Sequence, residues 1–399
     1  MFKIIKRELF DIYYVCKNEM LVVFRDPAVV LLFLIVPFAY PLLYTFIYDN
    51  EVARNVKMVV VDESSSSLAR SFTRKVDGTP DAQIVGYASD MEEAKQMMSS
   101  REVTGILYFP RDFSKKIHRH EQANVMVFAD VNSLLYYKNM LLPVTEVSLS
   151  MGADIRVEEA GFKSQAEDEI TMEAVINEWI PLYNHSNGFA SFLIPAVLVL
   201  IIQQTMFLGI STLVGTHKDR KTFTLASHTK EGTIVGPFKL TVGKALCYGA
   251  IYSVLAYWIL GIVPYIFNLP QIGDPITILI FMQPFLFAAT FFCITISYFC
   301  SQREFAMLLF VFTSVLFLFL SGISWPWVSI PPELKALAYI FPSTPGIHGF
   351  IKINTMGATL PEVWYEYIAL WIQAGIYWVT ATMMYLWWIK NYDPKHLGK

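Results

Sequence analysis

Apolar residues gather along this chain into long runs separated by polar stretches. One run, Phe189 to Gly215, extends twenty-seven residues without a charge. At about 1.5 Å of helical rise per residue it exceeds a hydrocarbon core of roughly 30 Å, so the pattern predicts a membrane-spanning helix. Five more runs have the same character: Ala28–Tyr48, Ala245–Phe267, Ile276–Cys300, Phe305–Ile323 and Tyr367–Ile389. Pro37 and Pro41 interrupt the first of them. Each removes an amide donor and crowds the preceding turn, so a kink or local unwinding is expected there. Before the first run, Ile5, Leu9, Ile12, Cys16, Met20 and Val23 recur at spacings of three and four among Lys3, Lys6, Arg7, Asp11 and Lys17. That stripe predicts an amphipathic helix over residues 1–26, lying in the membrane surface.

The block between the first two runs, residues 49–188, follows another rhythm. Short β-branched stretches at Lys57–Val61, Gln83–Ala88, Thr104–Phe109 and Asn124–Ala129 read as strands. Helical stretches alternate with them: Ser64–Val76 behind serine caps, Asp90–Ser100 with Asp90 as N-cap, Pro110–His118, and a largely helical Ser133–Trp179 with Gly152 and Gly161 as candidate breaks. Such alternation predicts a small α/β domain. Between the fifth and sixth runs, residues 324–362 are apolar but rich in Pro, Gly and Trp, with a helix-sized piece at Pro332–Ile340. This reads as a re-entrant or interfacial hairpin.

Composition sharpens the class. Of the 399 residues 54% are hydrophobic and 16% charged, far from the quarter charged of ordinary soluble domains. The charges are uneven: residues 49–188 hold 14 of the 31 Lys/Arg and 22 of the 34 Asp/Glu, which marks a water-exposed domain. The expected fold is therefore a polytopic α-helical membrane protein. It has six transmembrane helices, an N-terminal in-plane helix and a large extracytoplasmic α/β domain inserted between spans one and two. Lys/Arg density sets the orientation: residues 1–26 carry five, Thr216–Lys244 carries six, and Pro264–Pro275 carries none. By the positive-inside rule both termini and the 216–239 loop are cytoplasmic, as is the 390–399 tail, and the α/β domain is outside. The four cysteines, Cys16, Cys247, Cys293 and Cys300, avoid the soluble block and read as small hydrophobes.

Catalytic motifs are missing. Gly243-Lys244 lacks the upstream glycine of a phosphate-binding loop, and there is no G-x-S-x-G, H-E-x-x-H or C-x-x-C. His118 and His120 lie beside Lys115, Lys116 and Arg119 and read as solvated rather than metal-bound. Polar positions inside the spans say more, because hydrocarbon penalises them unless they face protein or water. Gln203, Phe207 and Ser211 share a face at i, i+4 and i+8, with Gln204 beside them, and Thr313, Phe317 and Ser321 repeat the geometry. These seven are the candidate lining of a path. Interhelical hydrogen bonding is the competing account. Charged residues fall only outside the runs, so an intramembrane enzyme has no catalytic pair.

Several stretches carry a family resemblance: VVVDESSSSLARSF (Val59–Phe72), TGILYFPRDFSKKI (Thr104–Ile117), VFADVNSLLYYKNML (Val127–Leu141) and SGISWPWVSIPPELKALAYIFPSTPGIHG (Ser321–Gly349). In this order and topology, over nearly the whole chain, they are similar to the permease subunits of type 2 ABC exporters, in the subgroup with a large extracytoplasmic domain. The resemblance implies an ATP-driven exporter in a bacterial inner membrane, with a second permease copy or homologue. ATP and Mg would be bound by a separate ABC ATPase subunit rather than by this chain, and a periplasmic adaptor is a further candidate partner; nucleic acid is not. Family members often carry Glu-Arg-Glu-x-Gly-Thr after the second span, whereas here GTHKDRKTFTLASHTKEGT (Gly215–Thr233) displaces Lys-Glu-Gly-Thr to Lys230–Thr233. Asp219, Arg220, Lys221, Lys230 and Glu231 are the expected contacts with the ATPase. A ligand-sensing receptor with the external domain as sensor is the alternative function.

Overall fold

A computed structural model of the chain describes residues 2–48, 54–130, 134–160, 182–184, 188–219, 235–300 and 302–392. In chain order its elements are α1 (Phe2–Arg25), α2 (Pro27–Ile47), β1 (Val56–Asp62), α3 (Ser67–Asp77), β2 (Ala82–Tyr87), α4 (Met91–Ser99) and β3 (Gly105–Phe109). Then come α5 (Phe113–His118), β4 (Met126–Ala129), α6 (Leu134–Ala160), α7 (Phe189–Asp219), α8 (Pro237–Ile266), α9 (Pro275–Ser297), α10 (Arg303–Leu320), α11 (Pro332–Ala338), α12 (Ser343–Met356) and α13 (Trp364–Tyr392). They fall into two compact units, Asn50–Pro181 and the remainder.

The Asn50–Pro181 unit is built on a four-stranded sheet of order β2-β1-β3-β4. The pairs β1/β2 and β1/β3 are parallel, and β4 runs antiparallel to β3. Period-two alternation divides β1 between two faces. Met58 and Val60 pack with Phe72 of α3 and Met140 of α6, whereas Val59 and Val61 pack with Ala94 of α4. Serine and aspartate start the helices as the sequence indicates: Ser66 Oγ accepts from the Ala69 amide at 3.1 Å, and Asp90 Oδ1 from the Glu93 amide at 2.8 Å. Gly105 admits α6 closely, since a Cβ there would lie 2.3 Å from Met140 Sδ. Gly152 does not break α6, which runs through it and through Pro143; Gly161 lies outside the described residues.

In the other unit α2, α7, α8, α9 and α10 are long and apolar enough to cross a membrane. The sixth expected span corresponds to α13, long enough at 29 residues but not among those five by composition. At the centre stands α7, buried continuously from Leu193 to Thr216 and packed against α2, α8, α9, α10 and α12. Gly209 lets α2 approach: a Cβ there would fall 2.2 Å from the Phe33 ring. The 324–362 stretch forms α11 and α12 with short 3-10 turns on either side.

Proline shapes two helices in the same way. In α2 the Leu31–Ile35 turn is π-helical, with the Val36 amide bonded to the Leu31 carbonyl, just ahead of Pro37. In α8 the Trp258–Ile262 turn is π-helical, with the Val263 amide on the Trp258 carbonyl, just ahead of Pro264. A widened turn makes room for the proline ring. It also realises the distortion expected of the first span. The two bulged helices meet where Trp258 stacks on Phe38 at 4.1 Å and donates its indole N–H to the Phe38 carbonyl at 3.1 Å.

Three expectations need correction. The first concerns α1: its buried line is Val15, Glu19 and Val23, while Leu9 of the expected stripe is 61% exposed. The helix packs on α8 through a face that includes a carboxylate. Second, helix extends further into the 216–244 connection than hydropathy indicates, so α7 reaches Asp219 and α8 begins at Pro237. Third, Lys244 therefore sits inside α8, 2% exposed, and the spans are not free of charge.

Candidate functional site: the path helices and the feet of the 220–234 connection

Three of the seven expected path residues share neighbours on α12 and the turn before it. Gln203 Nε2 donates to Ser343 Oγ at 3.3 Å. Two residues earlier, Phe341 lies 4.5 Å from Phe317, which also meets Phe292 edge-on at 6.3 Å. The carbonyl of Ser321 accepts from Nε2 of His348 at 3.0 Å. So Gln203, Phe317 and Ser321 are gathered around one segment, residues 341–348. Thr313 is half-buried and donates to the carbonyl of Leu309 at 2.8 Å. Gln204, Phe207 and Ser211 are buried elsewhere along α7, and neither amide atom of Gln204 has a hydrogen-bond partner among the described residues. At the far end of α7 a Cβ on Gly215 would come within 2.8 Å of the Gln302 backbone, so α7 and the start of α10 touch.

Of the expected coupling residues, Asp219 closes α7 and is exposed. Arg220, Lys221, Lys230 and Glu231 lie outside the described residues. The ends from which that connection springs are described, and each is fastened by lysine. Lys218 donates to the carbonyl of Tyr298 at the end of α9. Its ammonium also lies over the Tyr298 ring at 4.9 Å and over the Trp388 ring of α13 at 5.1 Å. A cation at the C-terminal end of a helix meets the unpaired carbonyls and the negative pole of the dipole.

The other foot is tied to α1. Lys239 Nζ contacts Asp11 Oδ2 at 2.7 Å and Glu8 Oε2 at 2.9 Å. Five residues further along α8, Lys244 Nζ contacts Glu19 Oε1 at 3.2 Å with both side chains buried. The Tyr248 hydroxyl donates to the same carboxylate oxygen, and the Lys244 ammonium lies 5.7 Å from the Tyr385 ring of α13. Three helices thus converge on one desolvated ion pair. Beside it the Cys16 thiol reaches the Cys247 thiol, and burial pushes the Cys16 thiol above its ordinary range.

Sequence reasoning does not bring Glu19, Lys239 and Lys244 together: the two lysines count as charges of a polar flank, and Glu19 is not singled out. The available signal was local: Lys244 and Tyr248 share a helical face at i and i+4, while Glu19 falls among apolar neighbours.

Residues 27–383 match the model of a family described as ABC-2 family transporter protein. The chain belongs to that family. This ABC-2 permease subunit is a multi-pass membrane protein and the membrane component of a transporter whose ATP-binding domain lies elsewhere, which implies an ABC ATPase partner. No curated protein gives a significant match. Both feet of the α7–α8 connection lead directly into the helix core of this ABC-2 permease.

Proposed function

We propose that this permease is one half of a dimeric, ATP-driven exporter of amphiphilic or hydrophobic compounds in a bacterial inner membrane. It has six spans, with α13 as the sixth, both termini in the cytoplasm and residues 49–188 outside. The ATPase, which holds the ATP and Mg, docks on the 216–239 region and α1. Asp219, Arg220, Lys221, Lys230 and Glu231 make the contacts, and a periplasmic adaptor docks on the external domain.

The observation that carries this reading is the pair of lysine anchors. A push on the connection is delivered through Lys218 to the ends of α9 and α13, and through Lys239 and Lys244 to α1 and α8 together. Motion of packed bodies rather than bending of one helix is the usual form of such transitions. Because α7 is enclosed by its neighbouring helices, its polar face reaches a path only when a packed neighbour such as α10 shifts away from it.

Affinity capture of the full chain from its own membranes should bring down a P-loop ATPase. Lys221→Glu and Glu231→Lys should each reduce export and ATPase capture without impairing membrane insertion; unchanged export and capture in both overturns the docking assignment. Protease treatment of sealed vesicles tests the orientation, since digestion of Ser64–Lys163 from the cytosolic face reverses it.

A further inference from the structure

A groove of about 550 Å³ lies between α8 and α9, in the half of both helices nearest the 267–274 connection. It is a built feature. Pro264 forces the π-helical turn in α8 and leaves the Leu260 carbonyl without its usual amide, and Gln271 Nε2 takes that carbonyl at 2.8 Å. The connection is held from the other side, where the Ile272 and Gly273 amides both donate to the Asn354 carbonyl, at 2.8 and 3.1 Å. Its floor is apolar and buried, with Met282 and Leu286, and its rim is apolar and exposed, with Tyr265 and Leu279.

Two properties of the lining select an occupant. No Lys, Arg, Asp or Glu lines it. Gln283 does, from α9, and its amide bonds no protein group among the described residues. An amide facing hydrocarbon without a partner is costly, so an occupant able to accept from it is favoured. The depth fits a particular group. The exposed Asp274 carboxylate caps α9, accepting from the Thr277 amide at 2.9 Å, which sets that end at the aqueous boundary. Gln283 is eight residues beyond Pro275, about 12 Å down the axis. The headgroup layer takes about 5–7 Å of that distance, and helical side chains tilt toward the N-terminus, which on α9 is toward the boundary where acyl esters lie. The capping amide and hydroxyl of Thr277 hold the Asp274 carboxyl below the usual range, so a negative charge stands between the lining residues Gly273 and Pro275, with no cation among the lining residues.

We propose that this groove is a binding site for one membrane glycerolipid of the leaflet facing the 267–274 connection. An acyl chain fills the apolar floor, an ester carbonyl accepts from Gln283 Nε2, and amine-bearing headgroups are preferred over anionic ones. The site is independent of the export path and of the ATPase contacts.

The test is a titration of the purified full chain in neutral detergent, with bound lipid counted by native mass spectrometry. The probes are a diester phosphatidylethanolamine, its diether analogue without ester carbonyls, and a diester phosphatidylglycerol. The wild type should prefer diester to diether by roughly three- to tenfold, the net effect of one hydrogen bond, and phosphatidylethanolamine to phosphatidylglycerol. Gln283→Leu should lose the diester preference while still binding chains. Gly261→Phe fills the groove from a position where a Cβ meets only the Tyr257 ring, at 3.7 Å, and should lower retention of both ethanolamine lipids about tenfold. Equal diester and diether binding by the wild type, an unchanged preference in Gln283→Leu, retention unaffected by Gly261→Phe, or phosphatidylglycerol bound as tightly as phosphatidylethanolamine each overturns the assignment.

Discussion

Lys244→Met tests the buried latch between α1 and α8. The substitution keeps an unbranched side chain of similar length but strands the Glu19 carboxylate, which has no exposed surface and keeps one hydroxyl donor, Tyr248. Glu19 Oε2 has no hydrogen-bond partner among the described residues even in the wild type. Removing one member of a buried ion pair costs about 3–5 kcal/mol, whereas replacing both by apolar groups is often neutral. Adding Glu19→Leu removes the stranded charge and leaves Tyr248 without its acceptor, a penalty of about 1–3 kcal/mol. The order of stability should therefore be wild type, then the double variant, then Lys244→Met, with roughly 2 kcal/mol of rescue between the last two. Adding Tyr248→Phe to the double variant should restore most of the remainder. The chain supplies its own reporter, because Cys247, Cys293 and Cys300 are buried thiols that a thiol-reactive fluorophore labels as the helices separate on heating. Oxidative cross-linking of Cys16 to Cys247 reads the same contact directly and should fall in Lys244→Met. If Lys244→Met is as stable as wild type, or Glu19→Leu fails to rescue it, the pair does not hold α1 to α8.

The remaining predictions address other contacts. Gln271→Leu leaves the Leu260 carbonyl unpaired and should destabilise by about 1–3 kcal/mol, while Pro264→Ala in the same chain returns an amide to that carbonyl and should recover most of the loss in thermal unfolding. Gly209→Ala drives a methyl into the Phe33 ring and should cost about 1–3 kcal/mol by overpacking, relieved by Phe33→Leu. His348 is neutral in the fold, because burial pushes its imidazole below the ordinary range, outweighing the Ser321 carbonyl and Glu366, while Lys352 acts with burial. As pH falls below the unfolded value of about 6.5 the unfolded chain takes up the proton first. Stability is therefore full above that pH, declines below it and levels off under the folded value; a pH series of melting temperatures in wild type and His348→Gln should show the decline only in the former.

Much of the architecture was legible because it rests on local signals. The strands of the Asn50–Pro181 unit follow from short β-branched stretches, and Ser66 and Asp90 cap the helices their sequence marks. Hydropathy located α2, α7, α9 and α10 to within a few residues. It fails at the start of α8, where carboxylates on α1 compensate both lysines, Asp11 and Glu8 for Lys239 and the buried Glu19 for Lys244, whereas along the sequence charge marks the end of a span. Such a pairing joins residues more than two hundred positions apart, and no window along the chain can register it. The path residues show the same limit. Helical spacing put Gln203 and Phe317 on faces of interest, but only the tertiary arrangement brings residues 341–348 to both. The bulge before Pro264 is written locally, whereas the Gln271 side chain that completes it comes from beyond the helix end.

The α11–α12 segment is laced to its surroundings from several directions. Ser343 bonds α7, His348 bonds the end of α10, the Asn354 carbonyl holds the α8–α9 connection, and Gln373 and Tyr377 of α13 donate to the carbonyls of Tyr339 and Ile340. Gly346 and Gly349 bring α12 so near α9 that a methyl on either would enter the ring of Phe285 or Phe281. A cover stitched down along every edge does not swing open like a flap. The cover instead rides as fixed cargo on the helices beneath it.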